Sequence, residues 1–345
     1  MLGQIVSGGR PLKPAMPTSL RRLLAGLLLT ALPAFAQYTP VAGENAPAAA
    51  YESRLDRKTG RVVLEKADAS PVPRDGHGNA RGNQYDLAVD GAFEGQTVLI
   101  IDQTGNTLVN TRAALREKGL SSVVYPNGKT PTPGELKEAL AKSCQLWIIS
   151  NGDARLDDGH LAAIKAFFDA GHGVYVWGDN DPYYVDANRI ASALVPGLRM
   201  EGDLPGNAVV GVADGRSGAP GVRKGHLITT GVEHLYEGVT IATIQFTRQD
   251  GRTAALYTGS QPSTVRSPPL PDGFTPLLYG SAGNLVTVAY EKDGKRLVMD
   301  GGFTRLAVSW DDAGTARYVK NAAAWLANVE RFGSDVSKLA NGAQK

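Results

Sequence analysis

Cysteine is nearly missing from this chain: Cys144 is the only one in 345 residues. One thiol closes no internal disulfide and assembles no multi-cysteine zinc site. It precedes an apolar run, where burial as a small apolar side chain is the expected role. The five histidines, His77, His160, His172, His226 and His234, show no HExxH or comparable transition-metal spacing. His77 lies in a Gly-rich loop, and His160 and His172 flank one helix, where exposure or capping is expected of them. Neither nucleotide fingerprint is present: there is no GxxxxGK[ST], and Asp102-Gln103-Thr104-Gly105-Asn106 stands where GxGxxG would follow the first strand. A serine elbow, G-x-S-x-G, is also missing, since Gly280-Ser281-Ala282-Gly283 reads as a turn between strands.

Charge of one sign is lacking too. The formal charge is +2, but the first 36 residues hold four basic and no acidic side chains, which leaves 32 basic against 34 acidic, near −2. That balance gives no reason to expect a nucleic acid or an anionic membrane as partner. Arg21 and Arg22 precede the apolar run Leu23–Leu32, and Ala34-Phe35-Ala36 supplies small residues before Gln37. These features predict a signal peptide over 1–36, cleaved near Ala36, and a periplasmic or secreted product. Met16 makes a more typical start than Met1. No Cys follows the cleavage site to carry lipid, and no later segment is apolar enough to span a bilayer.

What is present reads as an α/β chain. Residues 37–95 form a polar leader, partly disordered or folded as a peripheral hairpin across Lys58-Thr59-Gly60. From Gln96, strands and helices alternate. Strands are predicted at Thr97–Asp102, Ser122–Tyr125, Gln145–Ser150 and Val174–Trp177. Helices are predicted at Val109–Lys118, Gly134–Lys142, Asp157–Ala170 and Asp186–Leu194. The near-continuous apolar strands suit a sheet covered on both faces. Leu161, Ile164, Phe167 and Phe168 form the inward stripe of the third helix, and Gly171 ends it. This order predicts a doubly wound, mostly parallel sheet with helices on both faces and β-rich insertions in the C-terminal half. Short strands are expected at Ala208–Val212, His226–Thr230 and Val239–Phe246, inside insertions spanning about 200–275. A hairpin crosses Lys292-Asp293-Gly294, between Leu285–Tyr290 and Arg296–Met299. A last helix covers Gly314–Phe332, and 334–345 is read as a flexible tail. The folded unit is a single domain over 96–333.

Three segments resemble a known family in this order: Gln145–Ser150 followed by Leu156–Gly171, then His226–Glu237, then Arg296–Leu306. Together they are similar to the class I glutamine amidotransferase-like superfamily, which has a flavodoxin-like layered sheet, and the resemblance covers residues 96–330. Members with activity carry a nucleophilic Cys on the turn after the fourth strand and a His after a late strand. Here Gly178-Asp179-Asn180-Asp181 and Gly301-Gly302-Phe303-Thr304 stand at those places, so the chain resembles a secreted member without the Cys–His pair. The resemblance implies a non-catalytic domain, with no acyl transfer through a thiolate.

Carboxylates and amides recur at predicted strand C-terminal ends, which share one crevice in a parallel sheet. The ligand-binding candidates are Asp102, Asn151, Asp179, Asn180, Asp181, Tyr183, Asp300 and Thr304. They suit hydrogen bonds to a sugar-like ligand against a tyrosine wall. No cofactor is required, but Asp179, Asp181 and Asp300 are the oxygen ligands a Mg²⁺ or Ca²⁺ ion would use. The plainer alternative is that Asp and Asn serve as turn and cap formers. That alternative extends to Asp157 and Asp158 at one helix start and to Asp311 and Asp312 before the last helix. Two functions stay open. One is an exported, non-catalytic domain that binds a small molecule or an envelope protein at the strand-end crevice. The other is an Asp-based, cation-assisted hydrolase acting on a carbohydrate-related substrate.

Overall fold

The computed structural model describes residues 51–55, 62–66, 73–106, 108–213, 218–247, 253–254, 270–311 and 313–332. Residues 1–36, read above as a signal peptide, Asp312 and residues 334–345 lie outside them. Strands β1 (Tyr51–Leu55) and β2 (Val62–Lys66) pair antiparallel; the turn expected at Lys58-Thr59-Gly60 lies outside the described residues.

The main body then alternates as β3 (Thr97–Asp102), α1 (Val109–Glu117), β4 (Ser121–Tyr125), α2 (Pro133–Leu140), β5 (Gln145–Ile149), α3 (Asp158–Asp169), β6 (Gly173–Trp177) and α4 (Val185–Leu194). Antiparallel pieces follow: β7 (Leu198–Pro205), β8 (Val209–Val210), β9 (Gly221–Val222), β10 (Leu235–Tyr236), β11 (Thr240–Thr247), β12 (Thr253–Ala254) and β13 (Phe274–Tyr279). The chain then returns through β14 (Leu285–Lys292) and β15 (Lys295–Asp300) to α5 (Thr315–Leu326) and α6 (Val329–Phe332).

Eight strands form one mixed sheet in the order β4-β3-β5-β6-β15-β14-β13-β9. The first five run parallel. Numbered along the chain they give 2-1-3-4-5, the flavodoxin-like doubly wound order. β14, β13 and β9 extend the sheet antiparallel. β7, β11 and β12 form a separate antiparallel sheet, as the β-rich insertions predicted.

Alternation along the strands builds two cores. Val98, Ile100, Trp147, Tyr175, Trp177 and Val298 pack toward α1 and α5. Leu99, Ile101, Leu146, Val174, Val176 and Met299 pack toward α2, α3 and α4. Each fully buried large side chain contributes about 1.5–3 kcal/mol, which suffices to hold helices on both faces. Leu87 and Phe93, which precede β3, are wholly buried in the first core.

Several local expectations are corrected. His226–Thr230 is not a strand: His226 caps a 3₁₀ turn at Leu227–Thr229 through its ring nitrogen, which accepts from Ile228 N–H. The last helix breaks at Asn328, whose φ of 53° leaves the helical region. Its start carries Gly314 as N-cap with no side-chain hydrogen bond, so Asp311 does not cap it. His172 neither caps nor is exposed. Its ring stacks between Phe167 at 4.3 Å and Phe332 at 4.8 Å.

Candidate functional site

In a doubly wound sheet the crevice opens where the strand order reverses, here at the ends of β3 and β5. Polar side chains fill that point by bonding one another. Asp102 accepts from the N–H and hydroxyl of Thr104 at 2.9 and 2.7 Å, which is turn-forming work. Gln103 Nε2 donates to Asp186 Oδ2 at 2.8 Å, and its Oε1 accepts from Asn151 N–H at 3.2 Å. The Asn151 amide returns a bond to the Gln103 carbonyl at 2.9 Å. Asp186, fully buried at the start of α4, also accepts from Arg155 N–H at 2.8 Å and Leu156 N–H at 3.2 Å. Gln103 and Asp186 were not among the candidates. Their signal in the sequence is only position, an amide after β3 and a carboxylate in the first turn of α4.

The corner after β6 is different. Gly178 N–H donates to the Asp300 carbonyl at 2.8 Å, and Phe303 N–H donates to the Gly178 carbonyl at 3.0 Å. These bonds tie the ends of β6 and β15 together. A Cβ at Gly178 would lie 2.5 Å from Met200 Sδ and 3.0 Å from Tyr184 Cβ, so a larger residue there would require the Met200 side chain to shift. Asp179 follows, 1 % exposed, with a carboxyl oxygen that has no hydrogen-bond partner. Burial pushes this carboxyl up to about 7, against the pull of Asn180 N–H, Arg305 and Thr304.

Beside it, Asp300 and Arg305 are both wholly buried, with Nη2 and Oδ1 3.1 Å apart. Asp300 also accepts from Gly302 N–H at 3.1 Å and from the Tyr175 hydroxyl at 3.4 Å. Burial raises its carboxyl while the guanidinium of Arg305 opposes that rise. Arg305 donates further to the carbonyls of Gly302 at 3.2 Å and Glu237 at 2.9 Å, and its Nη1 has no partner. Its guanidinium carbon stands 6.0 Å from the Trp177 ring and 5.9 Å from the Tyr318 ring.

The structure thus gathers Asp179, Asp300 and Thr304 around Arg305. Arg305, which directly follows the candidate Thr304, is the buried centre of the group. Asn180 turns aside and accepts from the Thr240 hydroxyl at 2.7 Å, and Thr304 Oγ1 accepts from Val239 N–H at 2.8 Å. Asp181 is exposed, and Tyr183 lies at the surface with its ring edge-on to Phe303. Asn151 belongs to the neighbouring network with Gln103, and Asp102 to its own turn with Thr104. Asp179, Asp181 and Asp300 are therefore not arranged as one cation site. Among the described residues no group of three or more His, Cys, Asp or Glu side chains could hold a metal ion.

One buried carboxylate had no sequence signal. Glu237 accepts from the Ser281 hydroxyl at 2.7 Å, Ser281 N–H at 2.6 Å and Ala208 N–H at 3.1 Å. It anchors the Gly280–Gly283 turn, while its carbonyl holds Arg305.

Cys144 sits at the start of β5, the opposite end of the sheet from this corner. Burial pushes its thiol up to about 12, so it carries no thiolate near neutrality. His226 is pushed down to about 4 by burial and packs edge-on against Trp325. His160 completes a capping box with Asp157 and meets the Pro131 carbonyl at 2.6 Å. His234 N–H and His77 N–H bond to Asn79 and Asp75. No imidazole reaches Asp179.

No protein-family model matches the chain, and no curated protein matches it. Solved structures resemble it at low identity. A protein described as a GMP synthase subunit, from Thermoplasma acidophilum, is 13% identical, with a TM-score of 0.39, over 68% of this chain and 96% of that one. The exo-β-1,4-mannosidase Op5Man5 from Opitutaceae bacterium strain TAV5 is 11% identical, with a TM-score of 0.35, over 68% of this chain and 36% of that one. The carbohydrate deacetylase Agd3 is 11% identical, with a TM-score of 0.37, over 67% of this chain and 32% of that one.

Proposed function

We propose that this chain is an exported, non-catalytic α/β domain of amidotransferase-like type, which binds a small molecule or an envelope protein at the C-terminal edge of its central sheet. The observation that carries this is the corner after β6. A sealed carboxyl, Asp179, stands there beside a committed Asp300–Arg305 pair, while the one thiol lies at the far end of the sheet. Acyl transfer through a thiolate needs an activated thiol within reach of an imidazole base, and that corner holds neither a cysteine nor a histidine.

One observation favours a second reading. A carboxyl held near 7 with an unpartnered oxygen is the kind of group that serves as a general acid. On that reading the corner would work as an Asp-based hydrolase.

Glutamine and p-nitrophenyl acetate hydrolysis, assayed with and without added Mg²⁺ or Ca²⁺, separates the two. Turnover no higher than that of Asp179→Asn is expected. Turnover above background that Asp179→Asn abolishes would establish the hydrolase instead. A thermal-shift screen of amino acids, amides and sugars tests the binding role, with hits expected to weaken in Thr304→Val.

A further inference from the structure

A cavity of about 440 Å³ opens away from the strand ends, between α1, the start of α5 and the 75–83 segment. Its size falls in the ~300–1,000 Å³ range of small-molecule pockets. The floor is rigid, because its charges are already engaged. Asp86, fully buried, meets Lys320 at 2.8 Å and Arg317 at 3.0 Å. Lys320 is further held by Asn83 at 2.8 Å and Glu117 at 3.1 Å. Arg317 donates further to the carbonyls of Gly231, Ala80 and Gly82.

The rim is the reverse. Arg81, Asn110 and Asp311 line the opening and have no side-chain partner among the described residues. Trp310 forms part of the wall.

We propose that this cavity binds a neutral, polyhydroxylated ligand of the sugar class. The chemistry on its walls selects against the charged alternatives. Four carboxylates and three cations line it, and the floor cations are largely engaged, Lys320 by Asp86, Asn83 and Glu117 and Arg317 through four of its five N–H donors, so phosphate finds little free cation there. The same two bases cancel most of the pull on a cationic ligand. What remains free is one amide, one guanidinium and one carboxylate around an indole. Those groups match alternating hydroxyl donors and acceptors on an apolar ring face. This site stands independently of the β6 corner, and either one can fail without the other.

Isothermal titration of the full chain with cellobiose, N-acetylglucosamine and inorganic phosphate tests it. At least one sugar is expected to bind saturably, with a Kd of about millimolar. Removing two exposed hydrogen-bonding groups in Asn110→Ala/Asp311→Ala should weaken that binding about tenfold or more. Both positions are exposed, so the variant should melt as the wild type does. Tryptophan fluorescence offers a second readout. Trp310 is 8% exposed, whereas Trp147, Trp177 and Trp325 are at most 1%, so a sugar-dependent change should vanish in Trp310→Phe. Absence of saturable sugar binding, equal affinity in the double variant, or phosphate binding in preference to both sugars would overturn the proposal.

Discussion

Arg305 loses all solvent contact and carries Asp300 on one side and two backbone carbonyls on the other. Removing one member of such a pair strands the other as an uncompensated buried charge. Arg305→Ala should therefore cost about 3–5 kcal/mol of stability in urea unfolding. Arg305→Met/Asp300→Leu, which removes both charges and keeps apolar volume, should recover a large part of that loss. A single variant as stable as wild type would show that the pair is not buried as described. The aromatic neighbours explain why a cation is tolerated there, since Trp177 and Tyr318 present rings about 6 Å from the guanidinium.

At the level of elements, Asn328 links three pieces of chain. Its Nδ2 donates to the Gly171 carbonyl at 2.8 Å, just beyond α3, and to the Gly294 carbonyl at 2.9 Å, in the β14–β15 turn. Its positive φ separates α5 from α6. Asn328→Gly should lose the bonds and keep the conformation, and Asn328→Ala should lose both. The alanine variant should then be the less stable by about 1 kcal/mol, measured by thermal or urea unfolding, and the reverse order would contradict this role.

Much of the element plan was legible because local chemistry dictates it. β3, β5 and β6 are near-continuous apolar runs, and Asp293-Gly294 takes φ of 52° and 70°, the two-residue turn its residues favour. Asn328 was not legible, since the apolar spacing of Tyr318, Ala322, Trp325 and Val329 continues through it. The short turn at Leu227–Thr229 was misread for a related reason, as apolar residues buried by tertiary contact look like a strand when taken alone. At the candidate site, Asp179 and Asp300 meet only because β15 returns parallel to β6 after more than a hundred residues. Nothing local encodes that return, or the burial of Arg305.

Across the whole molecule, Asp86 ties the segment before β3 to both α1 and α5. It lies 2.9 Å from Lys118, 2.8 Å from Lys320 and 3.0 Å from Arg317. Asp86→Ala should destabilise the fold by about 3–5 kcal/mol. It should also raise hydrogen exchange at residues 80–93 ahead of the sheet strands, where Leu87 and Phe93 are buried. Uniform exchange in wild type and variant would contradict the tie.

The most direct measurement of the central claim is the unfolding free energy of wild type and Asp179→Asn as a function of pH. A carboxyl held near 7 in the folded chain, against an ordinary value of 3.8, keeps its proton where the unfolded chain has lost it. Stability contributed by that group is therefore fully present below about 4 and is lost as pH rises toward 7. Wild type should fall relative to Asp179→Asn across that window, by at most about 4 kcal/mol, and hold a constant difference above it. A pH-independent difference, or a wild type that gains stability on the variant as pH rises, would mean that Asp179 is an ordinary ionised carboxylate. The sealed corner after β6 would then not exist.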